Sequence, residues 1–163
     1  MSNDLTRDLR QALADEQGRE PKLDVAHRIA VLLGDDDAVY VDAGHHRSRK
    51  TTWWTGVVLT EDRVIHASAY LPDDLKPIAT VATWARRTLI SAEIEERIAL
   101  PDATQAERNS ASTWSAAGPE WPKGAVLSLT YPAAKLVLPL RQDAEARQQF
   151  RHLLPDLLAD VTR

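Results

Sequence analysis

"GVVLTEDRVIHAS", residues 56–68, decides the fold. In its first half Val57 and Leu59 alternate with Gly56, Val58 and Thr60; in its second, Ile65 and Ala67 alternate with Val64, His66 and Ser68. A period of two sends successive side chains to opposite faces, so each half reads as a strand rather than a helix. The polar stretch "TEDR", residues 60–63, is short enough for a tight turn between antiparallel neighbours. The alternation runs back to Trp53 and Trp54 and forward to Tyr70 and Leu71, which makes the predicted hairpin long.

The same period appears on either side. From Ala38, Val39, Val41 and Ala43 alternate with Tyr40 and Asp42, predicting a first strand that leads into a basic loop, "HHRSRK", residues 45–50. "LPDDLKP", residues 71–77, reads as a loop set by its prolines and aspartates. Thr88 to Ile98 is ambiguous. Its composition favours a helix, yet Ile90, Ala92, Ile94 and Ile98 share a face at period two, and the strand reading is preferred. "PDATQAERNS" and "AAGPEWPKG" read as loops around a short strand at Ser112 to Ser115. Leu127, Leu129 and Tyr131, then Leu136, Leu138 and Leu140, alternate across Pro132 as a final hairpin, with Pro139 marking an edge or strand end.

Both ends of the chain are helical by pattern. Leu5, Leu9, Ala12 and Leu13 fall on one face behind the N-cap residue Asn3. Gly18 to Pro21 breaks that helix. A second helix from about Lys22 to Leu33 buries Val25, Ile29 and Leu32 or Leu33 and stops at Gly34. The chain closes with a helix from about Asp143, whose apolar face holds Phe150, Leu153, Leu154, Leu157, Leu158 and Val161. Pro155 lies inside it and predicts a kink or a restart.

Composition bounds the function. The 163 residues suit one domain with a small appendage, and 44% apolar content supports a packed core. A net charge of −4 argues against a general nucleic-acid binder, whose affinity rests on neutralising phosphates. The absence of cysteine excludes disulfides, thiolate nucleophiles and cysteine metal sites. No apolar run approaches a membrane span, and the charged N-terminus lacks the apolar core of a signal peptide, so a cytoplasmic location is expected. The preference for arginine, with a single phenylalanine, points to a GC-rich bacterial coding sequence.

From Ala38 to its end the chain resembles the bacterial pleckstrin-homology-like (PH-like) domains. "GVVLTEDRVIHAS" looks like that family's second strand, turn and third strand, read as apolar-apolar-Leu-Thr-x-x-Arg-apolar-apolar. "RRTLISAEIEERI", residues 86–98, occupies the place of its fourth strand. "AVLSLTYPAAKLVLPL", residues 125–140, looks like its last hairpin, and "DAEARQQFRHLLPDLL", residues 143–158, like its C-terminal helix. The resemblance implies a mainly β, α+β fold: a bent antiparallel barrel of about seven strands capped by the terminal helix. It divides the chain into a helical extension, residues 1–36, and a barrel with its helix, residues 37–163. It also implies a scaffold that binds lipid headgroups, peptides or partner proteins rather than one that catalyses. The two N-terminal helices lie outside the pattern, and the segment from Leu71 to Arg87 is longer than the usual connection.

Candidate sites follow. Arg47, Arg49 and Lys50 sit where the family carries basic residues for phosphorylated ligands, and arginine forks suit phosphate oxygens. The late first strand, however, has Val41 and Asp42 where that pattern has a lysine. His45 and His46, with Asp42, could hold a metal or serve a small enzyme, but adjacent residues on an extended chain point apart. No recognisable nucleophile turn accompanies them. Trp53 shares the face of Val57 and Leu59 and is expected in the core. Trp54, on the other face, lies under the N-terminal helices or stands as an exposed anchor; the first is preferred. Leu5, Leu9 and Leu13 form a seam too narrow to be stable alone, so with Trp54 they are candidate interface residues against the barrel, a second copy or a partner. No cofactor is implied. The reading is a non-catalytic module that docks a protein partner or itself; the alternative is a binder of phosphate-bearing ligands.

Overall fold

In a computed structural model of the chain, residues 3–15, 17–48, 51–72, 78–96, 121 and 124–161 are described. The long hairpin is present: β2 (Thr51–Leu59) and β3 (Arg63–Pro72) pair antiparallel, with Gly56 opposite Ala67 and Leu59 opposite Val64. Thr60 and Arg63 close its turn; the Arg63 amide donates to the Thr60 hydroxyl oxygen at 3.0 Å.

β1 (Tyr40–Ser48) pairs with β2 along its full length, from Tyr40 opposite Leu59 to Ser48 opposite Thr51. The expected loop is therefore shorter than the sequence implies. Residues 44–48 are strand, because the extended "TTWW" of β2 offers them a partner; Arg49 and Lys50 lie outside the described residues. β4 (Ile78–Ala85) completes the sheet in the order β1-β2-β3-β4. Its alternation hides in the sequence because alanine and threonine stand on both faces.

A 3-10 turn (Arg86–Thr88) follows, then β5 (Ser91–Glu96), β6 (Ala125–Thr130) and β7 (Lys135–Leu138) in a second antiparallel sheet. The strand reading of the ambiguous segment holds for Ser91 to Glu96. Seven antiparallel strands thus form two sheets, and among the described residues no pairing closes them into one barrel. The strand predicted at Ser112 to Ser115, and Trp114 with it, lies outside the described residues.

α1 (Asn3–Ala12) and α2 (Leu23–Leu33) precede the first sheet, and Gly34 ends α2 with a positive φ of 62°. By contact the chain divides into two compact units, residues 1–87 and 88–163. The first joins both helices to β1–β4. Leu9, Leu13, Val25, Ile29 and Leu33 share one buried cluster with Ala43, Trp54, Val58, Ile65 and Ala67. All the sheet residues in that cluster belong to one face, as the register requires. Arg63 then locks the layer: its guanidinium donates to the Leu33 carbonyl at 3.1 Å and pairs with Asp36.

The second unit ends in α3 (Ala144–Val161), which runs unbroken through Pro155. The carboxylate of Asp143 accepts from the Ala146 amide at 2.9 Å, an N-cap that explains where the helix begins. Phe150, Leu153 and Leu157 are buried along it. Trp121 meets Phe150 edge to face at 5.1 Å and donates through Nε1 to the Ala125 carbonyl at 2.7 Å. Within this sheet the Ser128 hydroxyl and the Lys135 ammonium both donate to Glu95 Oε1, at 2.6 and 3.1 Å.

Candidate functional site

The two faces of the first sheet have different fates. One is covered by α1 and α2. On the other, Tyr40, Asp42, Val57, Leu59 and Val64 are buried near the β2–β3 turn. Toward the opposite end that face opens. His46 stands opposite Trp53, Trp53 opposite Tyr70, and Tyr70 opposite Ile78, a single row crossing all four strands. His46 is exposed, Trp53 is 40% and Ile78 62% exposed, and Tyr70 is half-buried. The rings follow one another at 5.9 Å (His46 to Trp53) and 5.5 Å (Trp53 to Tyr70), tilted as aromatic neighbours prefer.

Beside this row runs a polar one. Gly44, Thr55, Ser68 and Thr80 align in register, and the Ser68 and Thr80 hydroxyls hydrogen-bond at 2.8 Å. His66 comes next on β3, its ring 6.1 Å from that of Trp84. Burial lowers the His66 pKa below its usual 6.5. The exposed end of the face therefore presents aromatic area, hydroxyls and an imidazole, without a fixed charge among these residues.

Trp53 corrects the sequence reading. Alternation assigned it to the core with Val57 and Leu59, but burial on this face fades along β2, and Trp53 lies beyond its limit. Trp54 lies under the N-terminal helices, as preferred. Its indole sits over Gly56: a Cβ built there would come 2.8 Å from Trp54 Cζ2, closer still to Cη2, and 3.2 Å from Leu13 Cδ2. Leu9, Leu13 and Trp54, read as interface candidates, are spent on the chain's own core, with Leu5 packed partly buried against it. The seam is narrow because only that sheet face has to be covered.

The histidines diverge as extended geometry demands. His45 points to the helix-covered face, where its Nδ1 lies 2.9 Å from Asp15 Oδ2. The ring N–H does not aim along that contact, so it is a close electrostatic approach rather than a hydrogen bond. Asp15 Oδ1 accepts from the Gln17 and Arg19 amides at 3.0 and 2.8 Å, and Oδ2 from the Arg19 guanidinium at 2.7 Å. Burial alone would raise the Asp15 pKa, but Arg19 and these amides together hold it below 3.8. Burial, then the charge of Arg19, lowers the His45 pKa against the opposing pull of Asp15.

This cluster binds the α1–α2 connection to β1. Sequence reasoning missed it because Arg19 sits in a segment legible only as a helix break, with Asp15 just ahead of it. Among the described residues no group of three or more His, Asp or Glu side chains is placed to hold a metal, and no helix is long and apolar enough to cross a membrane. Of the proposed anion-binding set, the Arg47 backbone belongs to β1 opposite Thr52, while Arg49 and Lys50 lie outside the described residues. Comparison with family models, with curated proteins and with solved structures returns no match to this chain.

Proposed function

We propose that this chain is a PH-like, non-catalytic interaction module that docks a protein partner or a second copy of itself. The order of elements supports the PH-like reading: a four-stranded antiparallel meander, a three-stranded one, then a terminal helix. The observation that carries the docking reading is the row His46–Trp53–Tyr70–Ile78, a largely exposed aromatic and aliphatic stripe across the four-stranded sheet. Large aromatic side chains that remain exposed on a regular element supply contact area at low entropic cost, which is why they concentrate at protein interfaces.

Photo-crosslinking tests this reading. A photoreactive phenylalanine analogue in place of Trp53 should give protein adducts, identified by mass spectrometry. Their yield should fall at least several-fold when Tyr70→Ser and Ile78→Ser are added. Adducts confined to lipid or phosphate-bearing small molecules would favour the anion-binding alternative at Arg47, Arg49 and Lys50. Protein adducts indifferent to the two serines would remove the stripe as the docking surface.

A further inference from the structure

The two edges of the first sheet are built differently. β1 carries Asp42 and Arg47, and charged residues on an edge strand discourage strand-to-strand association. β4, "IATVATWA", has no charged residue, no proline and no glycine, and its register with β3 runs without a bulge from Ile78 to Ala85. It pairs with no strand other than β3 among the described residues.

The ladder shows which β4 groups face outward. The Arg86 amide donates to the Asp62 carbonyl at 2.8 Å, one step beyond the Arg63–Ala85 pair. In an antiparallel ladder, hydrogen-bonded and non-bonded pairs alternate. Ile78, Thr80, Ala82 and Trp84 therefore bond inward to β3, and Ala79, Val81 and Thr83 aim their N–H and C=O groups away. Arg28 of α2 confirms the phase, since its guanidinium donates to the Ala79 carbonyl at 3.2 Å. With Ala79 engaged, the open part of the edge is Val81 to Thr83.

We infer that a second copy of this chain pairs with this edge, β4 against β4, antiparallel about a two-fold axis at Ala82. In that register Val81 of each copy exchanges backbone hydrogen bonds with Thr83 of the other, so the open groups answer one another and the Arg28 contact stays intact. Ala82 then faces its own symmetry mate in a narrow, non-bonded pair, and its small exposed side chain fits that close approach. Nothing on the strand repels its copy, and a two-fold contact is self-complementary by construction. This names the partner for the docking reading above and rests on it. The ladder is short, so association is weak and concentration-dependent.

Because the chain has no cysteine, a single introduced thiol reports the contact cleanly. Non-bonded antiparallel pairs place Cα atoms about 4.5 Å apart, within disulfide range. Full-length Ala82→Cys should oxidise to a linked dimer at least tenfold faster than Thr80→Cys, and unmodified protein should sediment above its 18.1 kDa monomer mass as concentration rises. Thr83→Lys, at an exposed edge position, should restore the monomer with an unchanged melting curve. Equal oxidation of both cysteine variants, or a monomer mass up to roughly millimolar concentration, would overturn the edge pairing. The aromatic-stripe reading would then still stand or fall on its own crosslinks.

Discussion

His45 Nδ1 on β1 lies 2.9 Å from Asp15 Oδ2 in the α1–α2 connection, yet burial and the charge of Arg19 hold the imidazole pKa below its usual 6.5. Two opposed effects meet there. Burial and Arg19 disfavour the cation more than Asp15 favours it, so the folded chain resists a proton that the unfolded chain accepts.

This gives a pH dependence with a definite sign. Above 6.5 His45 and His66 are largely neutral folded or unfolded, and they make stability independent of pH. As pH falls below 6.5, the unfolded state takes up protons first, so stability is lost until the lower folded values are reached. Urea midpoints should drop between pH 7.5 and 5.5, and His45→Asn should flatten part of that drop. A wild-type midpoint constant over that interval would contradict the assignment.

Gly56→Ala should destabilise by about 1–3 kcal/mol, because a methyl there overlaps the Trp54 indole and presses on Leu13. Adding Trp54→Phe should recover part of the loss, and a double-mutant cycle from denaturant unfolding measures the coupling.

Two adjacent tryptophans should respond in opposite ways. Trp54→Ala removes a side chain only 2% exposed and should cost about 3–5 kcal/mol. Trp53→Ala loses only its cross-strand ring neighbours, and its cost should stay under about 1 kcal/mol. Thermal melts of the two variants decide this.

In the second unit, Trp121→Phe keeps the ring against Phe150 but loses the buried Nε1 bond to the Ala125 carbonyl. The smaller ring also leaves a gap at a fully buried position, so the expected cost is about 2–3 kcal/mol, read from urea unfolding.

The sequence made the strands legible wherever burial is one-sided. Val57, Leu59, Ile65 and Ala67 announce their faces because apolar and polar residues alternate there. β4 escaped notice because small residues occupy both its faces, and an edge strand can satisfy that pattern without advertising a core side. Trp53 was misplaced for a related reason. Periodicity reports which face a residue shares but not how far along a strand cover extends. The His45–Asp15–Arg19 cluster was beyond reach altogether, since the fold brings together members that lie up to thirty positions apart in the chain.

The N-terminal helices carry a practical consequence. A chain begun at residue 37 would not shed a dispensable tail; it would strip the lid from Trp54, Ala43, Val58, Ile65 and Ala67 at once. That bared apolar sheet would cling to whatever it met, and any clumping it displayed would say nothing about natural association. Surgery on this molecule has to be done by point substitution.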